Sequence, residues 1–136
     1  RKLKLFDKNP KKVYCVDNGI VEKNSPAVAE KKGALLENVV AVHLKRLGKE
    51  FYYYRGKTGA EVDFIVPVEK KVIQVCYELD GSNRERELRG LREAVQEVKA
   101  ASAVILTLEQ EQDIHVKNKT IQVKPVWQWL LENEPV

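Results

Sequence analysis

Gly59-Ala60-Glu61-Val62-Asp63-Phe64-Ile65-Val66, followed after a short gap by Val72-Ile73-Gln74-Val75-Cys76-Tyr77, is the stretch whose reading decides the fold. Polar and apolar residues alternate in both segments, and Pro67-Val68-Glu69-Lys70 between them is short and polar. Two alternating runs joined this tightly predict an antiparallel hairpin. A side-chain period of two places Asp63 on one face with Glu61 and Ile65, and Gln74 on one face with Cys76. A carboxylate on one strand then lies beside a polar pair, one residue apart, on the next.

Working back from the hairpin, Glu50-Phe51-Tyr52-Tyr53-Tyr54-Arg55 is a β-prone run closed by Gly56-Lys57-Thr58-Gly59. Alternation sets Tyr53 on one face and its neighbours on the other. Before it, residues 30–47 carry a helical pattern that ends in Lys45-Arg46-Leu47-Gly48, with basic residues and a glycine where helices stop. Leu35, Val39 and Val42 lie on one side of this helix, and Ala34, Val40, Ala41 and Leu44 on the other. A helix apolar nearly all round is expected to be sandwiched in the core. Glu37 falls in the second stripe, where a carboxylate is costly unless partnered. Earlier still, Val13-Tyr14-Cys15-Val16 reads as a short strand stopped by the turn Asp17-Asn18-Gly19, and the Lys-rich residues 1–12 as a linker or frayed segment.

Forward from the hairpin, Asp80-Gly81-Ser82-Asn83 breaks the chain, and Ser82 with Glu85 has the spacing of a capping box. The helix it opens runs to about Lys99, with Leu88, Leu91, Val95 and Val98 as its buried stripe. Ala103-Val104-Ile105-Leu106-Thr107-Leu108 is a continuous apolar run, expected as a strand covered on both faces. A second hairpin follows, Ile114-His115-Val116 turning through Lys117-Asn118-Lys119 into Ile121-Gln122-Val123. Pro125 opens a last short helix with Trp127 and Trp129 as hydrophobic anchors. From residue 30 the order is α-β-β-β-α-β, then a hairpin and a helix, which is a mixed α/β fold.

Composition narrows the class. The 136 residues are 43% hydrophobic and 32% charged, with a net charge of +4, as expected of one folded domain. No run approaches the roughly 18 apolar residues of a membrane helix, so no membrane partner is expected. The chain contains no Met and reads as a piece of a longer protein. Residues 1–24 are expected to be a linker and short strand joining a preceding domain, and residues 25–136 the folded unit. Cys15 and Cys76 lie in apolar runs without a CxxC pair, so reduced buried thiols in a cytoplasmic setting are expected and a zinc site is not. High charge without Met is a thermophile-like trait. His43 and His115 have no partner at ligand or triad spacing.

The element order, with Glu37 on the first helix, Asp63 on the second strand and Gln74-Val75-Cys76 on the third, resembles the PD-(D/E)XK nuclease fold. Several phrases are similar to a restriction-endonuclease-like C-terminal domain found behind the P-loop modules of archaeal AAA+ type ATPases. They are Val13 to Gly19, Gly33-Ala34-Leu35-Leu36-Glu37-Asn38, Gly59 to Phe64, Gln74-Val75-Cys76-Tyr77 and Pro125 to Leu131. The similarity spans residues 13–131.

The resemblance implies an αβββαβ core with a mixed central sheet, an N-terminal P-loop ATPase domain as partner and DNA as a ligand. It also implies a Mg²⁺ site, with Asp63, Gln74 and the Val75 carbonyl as ligands and Glu37 orienting a metal-bound water. Gln74 stands where the family has an acid, and its carbonyl oxygen brings no charge. Cys76 stands where the family has Lys, and a thiol supplies neither the ammonium charge nor its donors. The catalytic set Glu37, Asp63, Gln74 and Cys76 is therefore degenerate, and the expectation is a DNA-associated domain that is weakly active or inactive as a phosphodiesterase. Arg55 and Lys57 are the expected nucleic-acid contacts. No phosphate-binding Gly loop is present, so this segment is not expected to bind nucleotide by that route. Two alternatives stand beside this reading: a non-catalytic protein–protein adaptor docking through the Trp127/Trp129 end, and an active Mg²⁺-dependent DNA endonuclease.

Overall fold

The computed structural model describes residues 6–8 and 28–135. The expected strand Val13–Val16, its Asn18-Gly19 turn and the domain junction at residue 24 lie outside the described residues. Within them the chain runs β1 (Phe6–Lys8), α1 (Val28–Arg46), β2 (Tyr52–Arg55), β3 (Glu61–Val66), β4 (Lys71–Val75), α2 (Arg84–Val98), β5 (Ser102–Thr107), β6 (Gln112–Val116), β7 (Lys119–Pro125) and α3 (Val126–Glu132). The mixed α/β order read from residue 30 onward is present. Phe6–Lys8, inside the stretch read as linker, pairs antiparallel with Tyr52–Tyr54.

One seven-stranded sheet forms among the described residues, in the order β1-β2-β3-β4-β5-β7-β6. The β2–β3–β4 meander and the β6–β7 hairpin are antiparallel, whereas β4–β5 and β5–β7 are parallel. Parallel neighbours need a crossover, and α2 supplies the one between β4 and β5.

Each face of the sheet carries its own core. Under α2 lie Tyr54, Val62, Ile65, Val72, Cys76 and Ile105, packed against Leu88, Leu91, Ala94 and Val95. Under α1 and α3 lie Phe64, Val66, Ile73, Val75, Val104 and Leu106, packed against Leu36, Val40, Leu44 and Trp129. β5 feeds both cores with successive residues, which is why its sequence is apolar without interruption. Burying each such aliphatic or aromatic side chain is worth about 1.5–3 kcal/mol, so the central strands β3, β4 and β5 anchor the fold.

Helix ends follow their sequence signals in one case and not in the other. α1 stops in a Schellman motif: Gly48 takes a φ of 71°, its N–H reaches Lys45 O at 3.0 Å, and Lys49 N reaches Leu44 O at 3.1 Å. The Ser82–Glu85 capping box does not form. Asn83 is the N-cap, without a side-chain cap bond, and the Ser82 hydroxyl donates instead to Asp80 Oδ1 at 2.6 Å. The Asp80 carboxylate also accepts from the N–H of Ser82 at 2.8 Å, so the turn before the helix is organised one step earlier than expected.

α1 is not sandwiched. Leu36, Val40, Ala41 and Leu44 are buried, but Ala34 is exposed and Val39 and Val42 are half-buried. The helix covers one face of the sheet and leaves its far side to α3 and solvent. Trp129 is a core residue at 3% exposure, edge-on to His43 at 5.2 Å, so it is no outward anchor. His43 Nε2 lies 2.7 Å from Asn133 O, and the ring ties α1 to the chain just past α3. Trp127 (55%) and Leu131 (62%), four residues apart on α3, are exposed. No helix among the described residues is long and apolar enough to cross a membrane.

Candidate functional site

The site begins with an irregularity in β3. Tyr54 pairs with Val62, but Tyr52 pairs with Ile65, so two steps on β2 oppose three on β3. This is a β-bulge, with Asp63 and Phe64 opposite Tyr53. Its consequence is visible in the cores: Val62 and Ile65 face α2, whereas Phe64 and Val66 face α1. Simple alternation along β3 is therefore broken between Val62 and Ile65, and Asp63 at the bulge lines concavities shared with α1 and with α2. On β4 the alternation holds. Val72 and Cys76 face α2, with Gln74 between them in the same phase, and Ile73 and Val75 face α1.

The β3–β4 ladder extends from Val66↔Lys71 only to Phe64↔Ile73. Past that point side chains replace the ladder. Gln74 Oε1 accepts from the backbone N–H of Asp63 at 2.9 Å, and Asp63 Oδ2 accepts from the backbone N–H of Val75 at 2.9 Å. The other end of Gln74 donates through Nε2 to Glu87 Oε1 of α2 at 2.7 Å. A backbone N–H can only donate and an ionised carboxylate can only accept, so the orientation of the Gln74 amide is fixed at both ends.

Glu37, Asp63, Gln74, Val75 and Cys76 all line one concavity of about 540 Å³, closed on its other sides by the start of α1 and the Glu78–Asn83 loop. The sequence thus identified residues that the fold brings together. Cys76 is buried there. Its Sγ donates to Glu78 O at 3.2 Å and accepts from Asn83 Nδ2 at 3.5 Å. Burial, and after it the charge of Glu87, pushes the thiol up to about 11, so it stays protonated at neutral pH. Lys32 of α1 lies over the Tyr77 ring at 5.4 Å, at the rim.

Arg55 and Lys57 line no part of this concavity. Arg55 is exposed, 3.5 Å from Glu61 and 5.8 Å from the Tyr53 ring centroid, and Lys57 is exposed in the β2–β3 connection. That connection is tied to α2, where Glu93 Oε1 accepts from the Thr58 hydroxyl at 2.6 Å.

A second, smaller concavity of about 300 Å³ shares Asp63 and Gln74 with the first and adds the 58–60 turn, Arg86, Glu87 and Arg89. Sequence reasoning missed Glu87. The signal was present: Glu87, Leu91, Ala94 and Val98 fall at helical spacing on the stripe that α2 turns to the sheet, and a carboxylate there needs a partner. Its partner is Gln74.

Residues 32–129 match the family described as Domain of unknown function (DUF4143). The chain belongs to this family. It is also 35% identical over 130 residues to the uncharacterized protein MJ1544 of Methanocaldococcus jannaschii, an alignment that covers 88% of this chain and 29% of that protein. The chain therefore spans less than a third of the relative's length. No solved structure matches it.

The donor set of this DUF4143 domain does not fit a resident Mg²⁺ as it is arranged. Such an ion wants near-octahedral oxygen ligands, usually including one or two carboxylates. Here one Asp63 oxygen is engaged by Val75 N–H, the Gln74 carbonyl by Asp63 N–H, and Glu87 by the Gln74 amide. Among the described residues no group of three His, Cys, Asp or Glu side chains could hold a metal ion. What the arrangement does chemically is join β3, β4 and α2 by directed hydrogen bonds.

Proposed function

We propose that this DUF4143 domain is a restriction-endonuclease-like module, C-terminal to a P-loop ATPase domain, that holds DNA without hydrolysing it. The α-β-β-β-α-β order and the shared concavity around Glu37, Asp63, Gln74, Val75 and Cys76 support the nuclease-like reading. The observation that carries the loss of hydrolysis is Gln74, which is held between Asp63 N–H and the Glu87 carboxylate. A neutral amide committed at both ends adds no charge for a cation to neutralise. At the next same-face position a protonated, buried thiol replaces the ammonium that would stabilise a pentavalent phosphate. The net charge of +4 suits a polyanionic partner.

The test is binding and cleavage of labelled single-stranded, duplex and branched DNA, with Mg²⁺ or Mn²⁺, by wild type and Asp63→Ala. Salt-sensitive binding without cutting is expected. Metal-dependent cleavage that disappears in Asp63→Ala would return the domain to the active nucleases. Absence of binding would favour the adaptor reading, for which the exposed Trp127 and Leu131 are the supporting observation.

A further inference from the structure

We infer that the phosphodiester backbone is held on the outer face of α2, along a track of arginines, and neither in the concavity around Glu37 and Cys76 nor at Arg55 and Lys57. The inference rests on the DNA-holding reading above and names the surface that carries it.

Arg86, Arg89 and Arg92 follow one another at three-residue spacing, and all three are exposed. Each step of three advances about 4.5 Å along the helix axis and falls short of a full turn, so the row winds obliquely across the face. Its two ends lead into two different concavities. Arg86 and Arg89 line the one beside the 58–60 turn. Arg92 lines another, of about 510 Å³, between the C-terminal half of α2 and the β6–β7 hairpin, which adds Lys117 and Lys119. Among the described residues no carboxylate lines this groove, whereas Glu61, Asp63 and Glu87 line the one beside the 58–60 turn; the groove's floor is Val95, Ala100 and Ile121, and Gln96, Asn118 and Thr120 offer neutral hydrogen bonds.

Of the acidic residues near the track, Glu85 is exposed one turn before Arg89, and two others are engaged elsewhere. Glu87 faces inward to Gln74, and Glu93 holds Thr58. Arg86 lies 3.5 Å from Glu87 in an ion pair that is exposed on the arginine side and worth little in water. Side chains three apart on a helix sit about 5–6 Å from one another at Cβ, and a guanidinium fork matches a phosphate in two-point geometry. A row of such forks with no aromatic among them reads charge and spacing, not bases. Arg55, by contrast, stands apart from this row, beside Glu61 and the Tyr53 ring.

The experiment measures binding of a fluorescein-labelled 20-mer oligo-dT and a mixed-sequence 20-bp duplex across a salt series. It uses the full chain, Arg86→Gln/Arg89→Gln/Arg92→Gln, and a charge-matched control on the opposite side of the sheet, Lys31→Gln/Lys45→Gln/Arg46→Gln. The α2 variant is expected to lose at least about tenfold in affinity. The slope of log K against log salt should shrink by about 2 for the single strand, the loss of three phosphate contacts. The control should keep the wild-type slope, and circular dichroism should show both variants folded. The two probes tell whether single strand or duplex is the better source of that backbone.

Equal losses in both variants, or none in the α2 variant, would overturn the track while leaving DNA holding intact. No binding by wild type would remove both. A polyglutamate competitor that displaces the oligonucleotide at equal charge concentration would also overturn it, by making the row a surface for acidic proteins.

Discussion

The side chain of Gln74 accepts a hydrogen bond from the backbone N–H of Asp63 at 2.9 Å, across the point where β3 and β4 stop pairing through their backbones. Because its Nε2 also donates to Glu87 at 2.7 Å, the amide spans two strands and a helix. A glutamate at this position would keep the first bond and set a second carboxylate against Glu87.

Gln74→Glu is therefore expected to destabilise the domain at pH 7 by about 1–3 kcal/mol, the cost of a lost bond between half-buried polar groups. One carboxyl of the new pair must keep its proton, so the folded-state pKa is raised. A raised carboxyl pKa means the deficit is absent below the ordinary carboxylate range and grows as pH rises through the raised value. Urea midpoints at pH 4 and pH 7 measure this. The exchange Gln74→Glu/Glu87→Gln restores a donor opposite an acceptor and should recover most of the loss. A Gln74→Glu variant as stable as wild type at pH 7 would contradict the clamp.

Much of this was legible beforehand. Hydrophobic period gave the helices to within a few residues, the unbroken 103–108 run announced a strand between two cores, and Gly48 announced the end of α1. What was illegible shares a cause: it depends on partners distant in sequence. The β3 bulge returns Ile65 to the core that Val62 and Tyr54 share under α2, and no local signal at Asp63 states that. Ser82 and Glu85 have the capping spacing, but the nearer Asp80 carboxylate captures the hydroxyl first. Trp127 and Trp129 look alike in sequence and part company only because α3 presents one to the α1 core and the other to solvent.

The Asp80 turn gives a second prediction. Hydrogen bonds from the Ser82 hydroxyl, and then from its N–H, hold the Asp80 carboxyl below its ordinary 3.8. A depressed carboxylate contributes stability that is present above its ordinary pKa and lost as pH falls through the depressed value. Asp80→Asn should thus melt below wild type at pH 7, with the gap closing toward pH 3. Glu85→Gln should melt with wild type at both pH values, since no capping box exists to lose. A drop for Glu85→Gln matching that of Asp80→Asn would reinstate the box.

Cys76 contributes to the alkaline limit. Its thiol is pushed from an ordinary 9.0 up to about 11, by burial first and Glu87 second. The unfolded thiol ionises earlier, so this contribution to stability is whole below about pH 9 and is lost as pH rises toward 11. In a Cys15→Ala background, urea midpoints should fall across that interval and Cys76→Ala should flatten the fall. Alkylation of Cys76 at pH 8 should be slow in the native protein and fast in urea. Rapid native alkylation would show an accessible thiolate, contrary to its burial.

Gly56 makes the last test, because it is a glycine by close approach and not by backbone angle. A Cβ there would stand 2.8 Å from Tyr54 Oη and 2.8 Å from Glu93 Cδ, with a Glu93 oxygen nearer still. Gly56→Ala must push Glu93 off the Thr58 hydroxyl or shift the 56–59 turn, at about 1–3 kcal/mol. Glu93→Ala removes the obstacle and the Thr58 bond together, so the double variant should cost less than the sum of the singles by about 0.5–3 kcal/mol. Tyr54 offers an independent readout. Its phenol is pushed up to about 12 by burial, then by the charges of Glu93 and Glu97, so Glu93→Ala should bring its ultraviolet titration to lower pH. Strict additivity of the two substitutions, with an unmoved Tyr54 titration, would mean that Glu93 does not pack over Gly56 and that the turn beside Asp63 is held by something else.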